Sequence, residues 1–234
     1  MKIIVCIKQV PDTTEVKLDP KTGRLIRDGV PSIINPDDKN ALEEALRIKD
    51  ENPDTTVTVV SMGPPQADVA MREALAMGAD EAILISGREF GGSDTWATSY
   101  IIATAIKKIP DYDIIFCGRQ AIDGDTAQVG PQIAEQLNIP QITYVQKLDI
   151  EGDKVIVQRQ LEDGYTVVEA KMPVLLTAIK ELNTPRYMTP KGIFEAYNKT
   201  VQVWGFNDVP VDAEKIGLKG SPTNVNRTFS PEAK

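Results

Sequence analysis

The segment with the clearest capacity for chemistry is Gly118-Arg119-Gln120-Ala121-Ile122-Asp123-Gly124-Asp125-Thr126-Ala127-Gln128-Val129-Gly130-Pro131, a long, polar, glycine-rich link between an apolar run and an amphipathic stretch. The first turn of a helix carries unpaired backbone N–H groups and the positive end of a dipole. Thr126 to Val129 could therefore cradle a phosphate or pyrophosphate, with Gly124 letting the chain approach closely. An ordinary helix start capped by Asp125 or Thr126 would use the same residues, and the segment alone does not choose between the two. It matches neither a Walker A loop nor a G-x-G-x-x-G fingerprint.

The rest of the composition narrows the chemistry. The chain has no histidine, which excludes a Ser-His-Asp triad, a histidine base near neutral pH and a histidine-ligated metal. It also excludes a synthetase or ligase with a histidine-bearing nucleotide motif. The two cysteines, Cys6 and Cys117, sit inside apolar runs and read as buried small hydrophobes, neither a metal cage nor a structural disulfide. No side chain is assigned a catalytic role, so any redox or transfer chemistry would belong to a bound cofactor. A formal charge of −8 argues against nucleic acid or an anionic membrane as partner. No apolar run approaches the roughly 20 residues that span a bilayer, and Met1-Lys2 leads straight into a strand-like segment, so a cytoplasmic protein without membrane insertion is expected.

These residues need a scaffold, and its rhythm is regular. Lys2 to Ile7, Thr56 to Met62, Glu81 to Ser86 and Asp113 to Cys117 are short β-branched or apolar runs. Helical patterns alternate with them: one after Asn35-Pro36-Asp37, one from Gln66 to Met77 ended by Gly78, one after Ser93 or Asp94, and one from about Thr126 to Leu137. Alternation of this kind predicts an α/β fold with a doubly wound, mainly parallel sheet. A hairpin excursion is expected from Glu15 to Ile34. Ile142 to Leu148, Val155 to Leu161 and Tyr165 to Ala170, joined by turn residues, predict an antiparallel meander, after which Val174 to Ile179 could re-enter the sheet. The chain divides into one domain over 1–182 and, over 183–234, a proline-punctuated segment expected to lie as an extended arm along a partner, with Trp204 and Phe206 exposed.

Four segments together resemble electron-transfer flavoprotein beta subunits: Val5-Cys6-Ile7-Lys8-Gln9-Val10-Pro11-Asp12, Val60-Ser61-Met62-Gly63-Pro64, the loop Gln120 to Pro131, and Arg159 to Pro185. The resemblance covers roughly residues 1 to 205. It implies a sheet of the adenine-nucleotide-binding, HUP-like type, with Cys6, Lys8, Ser61 and Met62 flanking the adenosine and Gly124, Thr126, Ala127, Gln128 and Val129 contacting the phosphates. Housekeeping members usually carry Asn and Thr where this chain has Ala127 and Val129, and hold AMP as a structural filler. The Asp-Gly-Asp-Thr-Ala-Gln-Val-Gly-Pro version is similar to the electron-bifurcating branch, in which FAD occupies the site.

On that branch the resemblance implies NADH as electron donor. One electron goes to ferredoxin or flavodoxin, and the other passes through a second FAD in the alpha subunit toward an acyl-CoA dehydrogenase. The segment Arg186 to Ile193 resembles the recognition loop that docks the dehydrogenase, which would place Tyr187, Met188, Thr189, Pro190 and Ile193 at that contact. Here Pro190 stands where many members have an anchoring Leu. A housekeeping subunit with AMP and a free-standing adenine-nucleotide-binding regulatory module are the competing expectations.

Overall fold

The computed structural model describes residues 1–12 and 31–226. In chain order its elements begin with β1 (Lys2–Cys6), β2 (Gln9–Pro11), β3 (Ser32–Ile34), α1 (Pro36–Glu51), β4 (Thr56–Met62) and α2 (Asp68–Met77). They continue with β5 (Glu81–Ile85), α3 (Thr95–Ile106), β6 (Ile114–Gly118), α4 (Val129–Leu137), β7 (Gln141–Glu151) and β8 (Lys154–Leu161). β9 (Gly164–Lys171), β10 (Val174–Ala178), α5 (Pro190–Asn198), β11 (Val201–Trp204) and the short α6 (Gly217–Gly220) complete them.

Nine strands form one sheet in the order β11-β5-β4-β1-β6-β10-β7-β8-β9, parallel from β11 to β7 and antiparallel through the last two pairings. This is the expected α/β sheet with its meander, and β10 does re-enter the parallel part. Alternation along β1 explains why helices cover both faces. Ile3 and Val5 belong to a core shared with Leu42 and Leu46 of α1 and Met71 of α2, whereas Ile4 and Cys6 join Ile101 of α3 and Ile133 of α4 on the other side. From β1 the chain winds outward through β4 and β5, then crosses back through α3 to β6 on the opposite flank of β1. The crevice at the carboxyl ends of β1 and β6 is therefore the switch point at which such sheets bind ligands.

Local sequence explains most boundaries. Pro36 occupies the first turn of α1, Asp94 caps α3 by accepting from the Ala97 N–H at 3.0 Å, and Gly78 ends α2 with φ 133°. The helix expected from Thr126 starts at Val129. The hairpin expected over Glu15 to Ile34 lies largely outside the described residues. Its flanks, β2 and β3, pair antiparallel.

Beyond residue 182 the chain contributes more to its own fold than an arm would. β11 extends the sheet beside β5, and Val209 and Ile216 are buried against the core under α3. Trp204 and Phe206, expected to be exposed, are half-buried against that core, and the Lys108 ammonium sits 4.0 Å from the centre of the Trp204 ring. Few apolar residues suffice because the segment lies on a face already built by the sheet. Among the described residues no helix is long and apolar enough to cross a membrane.

Candidate functional site

A cavity of about 1120 Å³ opens at the switch point. Its floor is made by the ends of adjacent strands: Cys6, which is paired in register with Cys117, then Lys8 and Gly118. Both cysteines are free thiols, and the hydrogen bond with Cys6 together with burial raises the Cys117 thiol well above its usual range. Asp38, in the first turn of α1, joins the two strand ends. Its Oδ2 accepts from the Lys8 N–H at 2.8 Å and its Oδ1 from the Gly118 N–H at 2.9 Å. Burial pushes this carboxyl up to about 7 against the pull of those donors. The fit is close enough that a Cβ on Gly118 would run into the carboxylate and backbone of Asp38.

The wall above this floor is the segment Arg119 to Gln128, held by polar bonds from distant parts of the chain. Asn35, fully buried, donates its amide N–H to the Gln120 carbonyl at 2.8 Å and accepts from the Ile122 N–H at 3.0 Å, so one side chain fixes both sides of the turn. Lys8 Nζ meets Asp123 Oδ1 at 2.6 Å, the Gln120 amide donates to Asp125, and Thr95 Oγ1 donates to Gln128 Oε1 at 2.8 Å. Arg119 Nε approaches Asp37 Oδ2 at 3.3 Å, and burial raises the Asp37 carboxyl despite this neighbour.

Asp125 and Ala127 adopt left-handed φ values of 50° and 52°. Backbone of this alternating kind turns successive N–H groups toward one concavity, a geometry suited to anions. The N–H groups of Thr126, Ala127, Gln128, Val129 and Gly130 make no hydrogen bond to any described residue. The cradle is thus a loop followed by a helix start, and only Val129 and Gly130 supply helical N–H groups. Gly130 also brings α4 close to the sheet, since a Cβ there would lie 2.9 Å from Thr177 Cγ2.

Of the residues singled out from the sequence, Cys6, Lys8, Met62, Gly124, Thr126, Ala127, Gln128 and Val129 all line this cavity. Ser61 lies apart: it is buried, and it lines a separate cavity of about 120 Å³ beside Lys8 and Gln66, its Oγ making no hydrogen bond among the described residues. Asn35 and Asp38 went unrecognised, as did the second glycine-rich turn after β5, where Phe90, Gly92 and Thr95 close the far side. The available signals were Asn-Pro-Asp-Asp ahead of a helix and the Gly91-Gly92 pair.

The other predicted surface lies elsewhere, over α2 and the end of α1. Arg186 pins it, bonding Glu43 through Nε at 2.8 Å and Nη2 at 3.0 Å and reaching Asp50 at 2.7 Å, which raises the guanidinium pKa further. Thr189 caps α5 by accepting from the Gly192 N–H at 3.0 Å, and Pro190 takes the first helical position. Gly192 packs directly on the Ala76 carbonyl. Tyr187 is 96 % exposed, Met188 and Ile193 are partly so, and the helix adds Phe194 and Tyr197, at 77 % and 73 %, to the same surface.

A family model described as the electron transfer flavoprotein domain matches residues 22–209. The electron transfer flavoprotein subunit beta of Thermoanaerobacterium thermosaccharolyticum is 66 % identical over 232 residues, covering 99 % of this chain and 88 % of that protein. Subunit CarD of the caffeyl-CoA reductase-Etf complex of Acetobacterium woodii is 61 % identical over 234 residues, covering 100 % and 89 %. The acryloyl-CoA reductase electron transfer subunit gamma of Anaerotignum propionicum is 53 % identical over 242 residues, covering 100 % and 90 %. A nucleotide-sized crevice at the switch point and similarity over nearly the full length of these proteins agree: the chain belongs to the electron transfer flavoprotein family, among its beta subunits.

Proposed function

We propose that this beta subunit pairs with an alpha subunit and holds FAD in the switch-point cavity as part of an electron-bifurcating flavoprotein. The observation that carries this reading is the size of the cavity together with its polarity at one end. Small-ligand pockets run to about 300–1,000 Å³. This one, at about 1120 Å³, stretches from the unpartnered N–H groups of Thr126 to Gly130 past Cys6 to Phe90 and Gly92. The N–H cradle suits a pyrophosphate, and the apolar far end suits an aromatic ring system. When bound, the flavin would supply hydride acceptance from NADH and release of electrons to ferredoxin or flavodoxin and, through the alpha-subunit FAD, to an acyl-CoA dehydrogenase. The chain's own residues bind and orient: Lys8 and Arg119, paired with Asp123 and Asp37, fasten the rim, and Asn35 keeps the loop in shape. The exposed group of Tyr187, Met188, Ile193, Phe194 and Tyr197, with Thr189 and Pro190 shaping the turn before it, is the surface offered to the dehydrogenase.

The test is the nucleotide content of the chain co-purified with its alpha subunit. Two FAD and no AMP per heterodimer is the expected result; one FAD with one AMP would replace this reading with the housekeeping one. Ala127→Asn sharpens it. Asn tolerates the left-handed backbone at this position better than Ala, so the substitution adds bulk at the cradle without backbone strain. Flavin retained in this subunit should fall while the alpha-subunit flavin stays bound.

A further inference from the structure

Asp38 is the buried charged group on the cavity that neither the cradle nor the docking surface employs. It is 7 % exposed, belongs to the cavity lining, and ties the carboxyl ends of β1 and β6 through one N–H bond to each oxygen. Its neighbour on β6, Cys117, lies under the cradle, because a Cβ on Gly130 would stand 3.4 Å from Cys117 Cβ. An anion resting on the Thr126 to Gly130 N–H groups and the Asp38 carboxyl would therefore share one short stretch of β6.

The groups that face Asp38 leave its charge uncompensated by any cation. From β1 come Cys6 and Lys8, whose ammonium is committed to Asp123 at 2.6 Å. From β6 and the loop after it come Cys117, its thiol kept protonated by the hydrogen bond with Cys6 and by burial, and Arg119, paired with Asp37 at 3.3 Å. On α1 itself Asp37 adds a second carboxyl, raised by burial and by Glu181 in the turn after β10. What opposes the Asp38 anion is burial, with the Asp37 carboxyl adding to it, and what stabilises it is the Lys8 and Gly118 backbone donors together with the Asn35 side chain.

We propose that Asp38 is a positioning residue that takes up a proton from solvent when an anionic dinucleotide fills the cavity, so that occupancy of the site and protonation of this carboxyl are linked. The inference rests on the reading of the cavity as a nucleotide site. A bound pyrophosphate excludes water and places negative charge beside the carboxylate, and both effects favour its neutral form. Each Asp38 oxygen uses only one lone pair on its backbone donor, so a proton can be added with both N–H bonds kept and the strand ends in place. The proton returns to solvent when the ligand leaves. Burial already pushes the carboxyl up to about 7, against the hydrogen bonds from Lys8, Asn35 and Gly118. Its protonated form therefore favours the folded chain: that contribution is complete below about pH 4 and is lost as the pH rises through about 7.

The experiment titrates FAD into the nucleotide-free full chain by calorimetry at several pH values between 6.5 and 8.5. At pH 7.5 it is repeated in two buffers of different ionisation enthalpy, which counts protons directly. The expected result is uptake of about half a proton or more per FAD at pH 7.5, and a Kd that weakens about three- to tenfold from pH 7 to 8.5. Asp38→Asn, whose amide keeps one of the two acceptors and turns an NH2 group toward the other N–H, should bind FAD more weakly, with a flat profile and no uptake. FAD binding by the unaltered chain with no proton uptake and a flat profile would overturn the linkage while leaving the nucleotide site standing. An Asp38→Asn chain that keeps the pH dependence would do the same. Absence of FAD binding at every pH would overturn the site and the linkage together. Should the variant fail to fold, the proton count on the unaltered chain decides the matter alone.

Discussion

The loop Arg119 to Gln128 and the segment Asn183 to Tyr197 are both irregular for part of their length, and both are fastened to the same helix, yet they present opposite chemistry. The first is tied to the beginning of α1, through Asn35 and Asp37, and turns bare backbone N–H groups into an enclosed crevice. The second is tied further along α1, with Asn183 bonded to Asn40 and Glu44 and Arg186 to Glu43 and Asp50, and turns aromatic side chains to solvent. Polar bonds on the inside thus set position in both, while the outward groups differ: bare backbone N–H groups in one case, aromatic side chains in the other. The acidic residues of α1, which a sequence reader would place on a solvated face, are in large part these anchors: Asp38, Glu43 and Glu44 are buried.

If the comparison holds, damage at one end of α1 should leave the other region's task intact. Gly118→Ala carries the largest expected effect, because the added Cβ meets the Asp38 carboxylate and backbone and the strand ends must part. A loss of about 2–3 kcal/mol in denaturant unfolding is expected, together with loss of nucleotide. A stable, nucleotide-loaded variant would show that the crevice has room to spare.

Asn35→Ala should come next. It removes the partner of the part-buried Ile122 N–H and frees the Gln120 carbonyl, at a cost of about 0.5–1.5 kcal/mol. Nucleotide retention should fall while binding of the dehydrogenase by the reloaded protein is unchanged. Arg186→Ala is the mirror experiment: Glu43, 5 % exposed, loses its partner, with a stability loss of about 1 kcal/mol. Nucleotide content should stay full as electron delivery to the dehydrogenase slows, and a fall in both would mean that α1 couples the two regions. The smallest change in stability belongs to Tyr187→Ala and Phe194→Ala, each within about 0.5 kcal/mol. Their effect should appear only in the rate at which electrons reach the dehydrogenase.

The central strands were legible because residues such as Ile3-Ile4-Val5 and Val57 to Val60 are covered on both faces, and the helix starts because Pro36 and Asp94 announce them. β11 was not legible. Val201-Gln202-Val203-Trp204 is short, lies at the sheet edge, and takes its strand character from pairing with β5, more than a hundred residues earlier. The cradle was visible in composition but misplaced in conformation, since Asp125 and Ala127 adopt left-handed backbone without being glycine. Asp38 was invisible for another reason: its two donors stand 30 and 80 residues away, a relation that only the folded sheet creates. The segment Arg186 to Ile193 was singled out by its resemblance, whereas Phe194 and Tyr197 needed α5 to be seen as a helix with an unburied side.

The closure of the cavity by late residues has a consequence for biosynthesis. Cys6 and Val203 line the same space, and Asp94, beside the far wall, accepts hydrogen bonds from both the N–H and the hydroxyl of Thr223. During translation the floor of the site can form early, but its rim is unfinished until nearly the whole chain has left the ribosome. On the proposed reading, a nucleotide would meet a complete site only after β11 and Thr223 have been made, and a nascent chain stalled before β11 would leave the apolar crevice open.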